Sequence, residues 1–193
     1  PNYDEVLGLK AYPSLREVPG RVDYVISCVR ASEVPQLLED GARKGVKAVH
    51  LYTARFSETG RREAAELEQE ILRRAREAGI RIIGPNCMGL HYPAQGISYH
   101  SGAPKESGPV GVISQSGGFL SEMIGAAASR GIYFSKAISY GNAIDLNECD
   151  YLEYFEQDPQ TSIILMYIEG PRNGKRFFEL LRRTTPRLSL IHI

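Results

Sequence analysis

The sequence predicts an α/β protein built on parallel sheets, arranged as two successive domains. Three observations carry this. Short runs rich in β-branched residues alternate with longer segments of helical period, each helix is preceded by a strand, and the alternation breaks once, across a stretch rich in Gly, Pro and Ser, before it resumes. Strands joined through helices pair in parallel through right-handed crossovers.

Residues 22–29 (VDYVISCV) form the first strand. A helix follows from Ser32 to Lys44, with Ser32 as its cap, Pro35 in its first turn, and Val34, Leu37 and Leu38 on one face. Residues 46–52 form a second strand. The charged segment 61–78 is a helix with Ala65, Leu67, Ile71, Leu72 and Ala75 facing inward, ended by Gly79, and 80–83 is a third strand. From Gly84 to Pro109 the pattern dissolves into a connection between domains. Strands at 110–114, 135–139 and 163–168 then alternate with helices at 118–129, 146–157 and 174–183. The first 20 residues hold no complete strand or helix, so the chain is expected to open inside a domain. The last six residues, LSLIHI, resemble the conceptual translation of a sequencing-adapter end; the other reading is an apolar strand closing the sheet.

The 193 residues are 42 % hydrophobic, enough for a core. Twenty-three basic residues balance 23 acidic ones and the signs are interspersed, which argues against a nucleic-acid or anionic-membrane partner. No apolar run approaches the ~18 residues of a membrane span, and no secretion signal opens the chain, so a soluble cytoplasmic protein is expected. Cys28, Cys87 and Cys149 are widely spaced without a CxxC pair, which argues for reduced thiols rather than disulfides or a zinc site.

Chemistry concentrates at the turn Ser114-Gln115-Ser116-Gly117-Gly118, where a strand ends and a helix begins. The first amides of a helix lack intrahelical partners and carry the positive end of its dipole, and glycines remove the Cβ atoms that would hold an anion away. The hydroxyls of Ser114 and Ser116 add donors. The turn therefore suits a phosphate or carboxylate, and equally a serine cap with glycines for a tight bend. It is neither a Walker A loop nor a GxSxG nucleophile elbow.

Five motifs in order, GPNCMGL (84–90), GVISQSGG (111–118), SYGN (139–142) with Asp145, FEQDPQT (155–161) and YIEG (167–170), resemble the NDP-forming acyl-CoA synthetases. These are the ADP-forming acetyl-CoA synthetase type, related to the succinyl-CoA synthetase alpha subunit and to acyl-CoA-dependent protein acetyltransferases. The resemblance implies a Rossmann-like CoA-binding domain over 1–86, a linker over 87–108 and a flavodoxin-like ligase domain over 109–187, both domains truncated, with 188–193 as the tail. It also implies a reaction. Acyl-CoA and phosphate give an acyl phosphate, the phosphoryl group moves to a histidine resting at helix N-termini, and the histidine delivers it to ADP in an ATP-grasp module, where ADP or ATP binds with Mg2+.

On this resemblance Ser114, Gln115, Ser116, Gly117 and Gly118 seat phosphate or the phosphorylated imidazole. Glu169 accepts the imidazole N–H, or else is a strand-end acid paired with Arg172 or Lys175. Cys28, Val29 and Arg30, with Thr53 and Arg55, match the loops that face CoA, and Arg55 stands where a glycine is common; its guanidinium could meet a CoA phosphate or crowd the loop. Asn86 is grouped with them and is expected to order the linker through side-chain to backbone hydrogen bonds. Cys87 reads as a small buried residue rather than a nucleophile. Ser121 stands where succinyl-specific relatives carry a tyrosine, which favours a smaller or branched acyl group.

No residue matches the phosphorylated histidine: His50 lies in a strand, His91 and His100 in the connection, and His192 in the tail. The expected partners are CoA or acyl-CoA, phosphate, an ATP-grasp domain or subunit, and further copies in an oligomer. No metal site is expected in this chain, and alone it is expected not to turn over. Two other readings stay open: a synthetase-like regulatory region of a protein lysine acetyltransferase, and a non-catalytic CoA-binding module.

Overall fold

Alternating apolar runs become the strands of two separate parallel-stranded sheets in the computed structural model, which describes residues 3–99 and 101–192. Pro1, Asn2, His100 and Ile193 lie outside the described residues. Two compact units divide at Pro1–Ile82 and Ile83–Ile193.

The first unit opens with a two-residue antiparallel pair, β1 (Glu5–Val6) and β2 (Leu9–Lys10), and a 3-10 turn at Leu15–Glu17. Then come β3 (Tyr24–Ser27), α1 (Val34–Lys44), β4 (Ala48–Leu51), α2 (Arg62–Glu77) and β5 (Arg81–Ile83), with strand order β3-β4-β5. β3 and β4 are parallel, Tyr24 opposite Ala48. Helix α1 buries Val34 and Leu38, and α2 buries Ile71, Leu72 and Ala75, while Ala65 and Leu67 are half-buried. The outer face of α2 carries Arg62–Glu66, Arg73–Glu77 and Arg74–Glu70 ion pairs, surface contacts worth up to about 0.5 kcal/mol each. Ser32 is not the cap of α1. It lies inside a 3-10 turn, Ala31–Glu33, that leads into the helix, and the capping position is Glu33, with no side-chain bond.

The second unit takes in much of what reads as connection. Residues Gly89–His91 form β6, followed by β7 (Val110–Ser114), α3 (Gly117–Ala128), β8 (Phe134–Ser139), α4 (Glu148–Gln157), β9 (Ile163–Tyr167), α5 (Gly174–Thr184) and β10 (Ser189–His192). The sheet order is β10-β9-β7-β8-β6, parallel except for β6, which runs antiparallel to β8. Every residue of central β7 is buried, as a parallel strand covered on both faces requires. Ile113, Tyr140, Leu152, Phe155 and Ile164 fill one side of the sheet, and Val112, Leu120, Ile124 and Phe134 the other. Gly111 is demanded by packing: a Cβ there would lie 2.7 Å from the Phe155 ring.

One charge is fully committed to this core. Lys136, 4 % exposed, donates to Asp158 and Gln160 at 2.8 Å each and sits over the Tyr92 ring. Burial alone would lower its ammonium pKa; the bond to Asp158 outweighs that and raises it, while Asp158 is held below its ordinary value despite its own burial.

Candidate functional site

In the second sheet β8 lies on one side of β7 and β9 on the other, so the winding reverses between β7 and β9. Ligands of open parallel sheets bind beyond the carboxyl ends of the strands at such a reversal. Two loops leave from that point, the turn at 115–116 into α3 and the segment 168–173 after β9.

The five residues read as one cradle have separate tasks. Ser114 is fully buried and its hydroxyl donates to the Ser116 carbonyl at 2.7 Å, so it shapes the turn. Ser116 caps α3, its Oγ accepting the Phe119 amide at 3.3 Å. Gly117 is required by packing, because a Cβ would collide with Cγ of Met88 and lie 3.3 Å from its backbone nitrogen. Gly118 faces open space, with nothing within 4 Å of a built Cβ. The amides of Gly117 and Gly118 find no acceptor among the described residues, and they head a helix of 12 residues. Gln115 does not offer its side-chain oxygen to a ligand: Oε1 accepts the amides of Glu169 at 2.9 Å and Gly170 at 3.4 Å, while its own amide donates to Tyr167.

Glu169 is exposed, and its carboxyl forms no ion pair or hydrogen bond among the described residues, so the pairing with Arg172 or Lys175 is not formed. Arg172 instead donates its guanidinium to the Asn142 carbonyl and its amide to Oε1 of Glu148 at 2.8 Å. Glu148 opens α4, is fully buried, and leaves Oε2 without a partner. Nearby Tyr140 has its phenol pushed well above the ordinary value, chiefly by burial and then by Glu148.

The GPN and SYGN motifs meet backbone to backbone. Gly141, at φ +51°, has no room for a Cβ against the carbonyls of Pro85 and Asn86, and the amides of Asn142 and Ile144 donate to the carbonyls of Pro85 and Gly84 at 3.0 and 3.2 Å. The expectation that Asn86 orders this segment by side-chain to backbone bonds is corrected here. Backbone carbonyls do that, and the Asn86 amide reaches the Asn142 side chain at 3.5 Å. Burial raises the Cys87 thiol to about 12 and, with help from Glu148, Cys149 to about 11, so both stay protonated at neutral pH and neither is a nucleophile.

In the first unit Thr53 is buried and donates to the Val29 carbonyl at 2.7 Å, which joins the loops after β3 and β4. Cys28, Val29 and Arg30 are exposed on the first loop. Arg55 is exposed on the second at φ +77°, in the left-handed region that glycine favours, which accounts for the glycine expected at that position. Fully buried Phe56 anchors the same loop.

Sequence reasoning missed the Gln115 hook, Glu148, the contacts of Arg172 with Glu148 and the Asn142 carbonyl, and the stacked pair Phe119–Tyr167, whose centroids lie 4.8 Å apart beside the head of α3. Glu148 follows a good cap, Asn147, but nothing in the sequence marks it as buried. Among the described residues no cluster of His, Cys, Asp and Glu could hold a metal ion, and no helix is long and apolar enough to cross a membrane.

Comparison with known proteins agrees with this architecture. Residues 1–93 match a CoA binding domain, and residues 107–193 match the succinyl-CoA ligase like flavodoxin domain. The chain is 39% identical over 194 residues to an ADP-forming acetate–CoA ligase of Methanocaldococcus jannaschii, covering 99% of this chain and 27% of that protein. It is 38% identical over 188 residues to the alpha subunit of ADP-forming acetate–CoA ligase II of Pyrococcus furiosus, covering 97% of this chain and 41% of that subunit. The solved dinucleotide-forming acetyl-coenzyme A synthetase 1 of Ca. Korarchaeum cryptofilum, in complex with phosphate and ADP, superposes with a TM-score of 0.89 at 36% identity, over 100% of this chain and 42% of that one. The chain thus spans 27% to 41% of the length of these curated relatives. With two domains matched in the order of its motifs, the chain belongs to the NDP-forming acyl-CoA synthetase family and carries its CoA-binding domain and its succinyl-CoA-ligase-like flavodoxin domain.

Proposed function

We propose that this chain is the alpha-subunit-like part of an acyl-CoA synthetase that interconverts acyl-CoA, phosphate and ADP with carboxylic acid, CoA and ATP. One observation carries the reading: Gln115 ties the loop bearing exposed Glu169 to the turn that presents the unpaired amides of Gly117 and Gly118. An oxyanion at the head of α3 receives two backbone donors and the helix dipole, which favour phosphate over neutral ligands. Glu169 accepts the N–H of a histidine whose other nitrogen takes the phosphoryl group, fixing the tautomer. That histidine comes from outside these residues; His50 and His91 are buried in strands. In the first unit Thr53 sets the loops on which Cys28, Val29, Arg30 and Arg55 face CoA. Arg55 supplies a guanidinium to a CoA phosphate.

ADP binds with Mg2+ in an ATP-grasp module on another domain or subunit, and the enzyme works in the cytoplasm as an oligomer on a small or branched acyl group. The relatives compared are ligases, which favours this reading over the regulatory region of an acetyltransferase. The test is ATP formation from acyl-CoA, phosphate and ADP. The full-length enzyme with its ATP-grasp module is expected to make ATP through an acid-labile phosphoprotein, and the 193-residue chain alone is expected to make none. Turnover by the chain alone, or a full-length enzyme without a phosphoprotein, overturns it.

A further inference from the structure

The segment from Glu169 to Asn173 is exposed throughout, so no apolar burial sets its shape. Its conformation depends on acceptors supplied by other elements. At its start Gln115 Oε1 takes two successive amides, and at its end Glu148 Oε1 takes the amide of Arg172 at 2.8 Å. Glu148 also accepts weakly from the Cys149 thiol at 3.8 Å, and its second oxygen has no partner although the residue is fully buried. A buried carboxyl with an unpaired oxygen destabilises a core, and an apolar side chain of the same volume would remove that cost. The arrangement is therefore poorly explained by stability.

We propose that Glu148 is a positioning residue for Glu169: from the first turn of α4 it holds the Arg172 amide and so fixes the far end of the loop that carries Glu169. This rests on the role given to Glu169 under the proposed function. With Gln115 holding the near end and the Arg172 guanidinium on the Asn142 carbonyl, the loop is held at both ends without being packed. A carboxyl kept in register with the head of α3 in this way need not be ordered anew in each turnover.

The experiment uses the full-length enzyme with its ATP-grasp module and compares Glu148→Met, which keeps the volume but has no acceptor of comparable strength, with Glu148→Gln, which keeps Oε1, and with Glu169→Gln as reference. Glu148→Met is expected to melt at or above the wild-type temperature while kcat falls about 10- to 100-fold with little change in the KM for acyl-CoA. The Arg172 and Glu169 amides should exchange hydrogen faster in that variant, while amides of β7 stay protected. Glu148→Gln should retain kcat within about threefold, because the acceptor remains. The proposal is overturned if Glu148→Met keeps its kcat, if its stability and rate fall together, if loop exchange is unchanged, or if Glu148→Gln fails as Glu148→Met does. Failure of the wider reading looks different. Then the wild type makes no phosphoprotein or Glu169→Gln remains active, while the exchange arm still reports whether Glu148 holds the loop.

Discussion

Oε1 of Gln115 accepts the amide of Glu169 at 2.9 Å, so a side chain from the turn before α3 holds the backbone of the loop after β9. Replacing it by Leu removes an acceptor from two exposed amides that water can reach, so stability should fall by only about 0.5–1.5 kcal/mol. Turnover of the full-length enzyme should fall about tenfold or more, because the Glu169 loop loses its registry. Gln115→Glu keeps the acceptor but adds a negative charge beside the head of α3, and should raise the KM for phosphate more than it lowers kcat. Thermal melts and steady-state kinetics on both variants check this; equal kinetics in wild type and Gln115→Leu would remove the hook from the mechanism.

The two glycines at the start of α3 should separate in their effects. Gly117→Ala drives a Cβ into Met88 and should cost about 1–3 kcal/mol through overpacking. Gly118→Ala meets no atom within 4 Å and places a better helix former in the first turn, so stability should stay level or rise by under about 1 kcal/mol. Its methyl would, however, stand where the oxyanion is proposed to sit, and phosphate affinity should drop. Denaturant melts alongside phosphate titration read the two effects independently.

Arg55 holds a left-handed backbone at φ +77°. Arg55→Gly relieves that strain but adds freedom to the unfolded chain, for a net change between zero and about 1 kcal/mol in favour of folding. Arg55→Val should destabilise by about 1–2 kcal/mol, since a β-branched residue tolerates this region least. Loss of the guanidinium should weaken CoA binding about fivefold in the glycine variant, measured by calorimetry on the full-length enzyme. Unchanged CoA affinity would leave Arg55 as a residue that merely crowds its loop.

The cysteines make a prediction about pH. Folding raises Cys87 from 9.0 to about 12 and Cys149 from 9.0 to about 11, so the folded state holds these protons more tightly than the unfolded chain. Their contribution is fully present below pH 9 and is lost as pH climbs from there through the folded values. Denaturant midpoints should therefore be insensitive to these thiols at pH 7–8 and fall steadily above pH 9, less so in Cys87→Ala. At pH 8, iodoacetamide should label exposed Cys28 and spare the other two until the protein unfolds.

Long periodic segments were legible in the sequence because burial imposes them: residues 110–114 read as a strand and are one, and the helices at 62–77 and 174–184 lie within a few residues of their expected bounds. Short elements were not. β6 has three residues, of which Gly89 is one, and β1 and β2 have two each, too few to show a period. The glycine turn announced an unusual corner, but its partners lie far away in sequence. Nothing around Gly117 reveals Met88, and nothing around Gln115 reveals that its side-chain oxygen serves the Glu169 amide. Residue types marked the site; the division of labour within it depended on contacts that only the folded chain creates.

The antiparallel pairing of β6 with β8 has a consequence for handling the second domain in isolation. Gly89, Leu90 and His91 cover the outer rim of Ser139, Ile138 and Ala137. A fragment started at Pro109 would bare that rim of β8 as a ready template for strands from neighbouring molecules and should clump at lower concentration than one started at Ile83, which replaces it by the three-residue edge of β6.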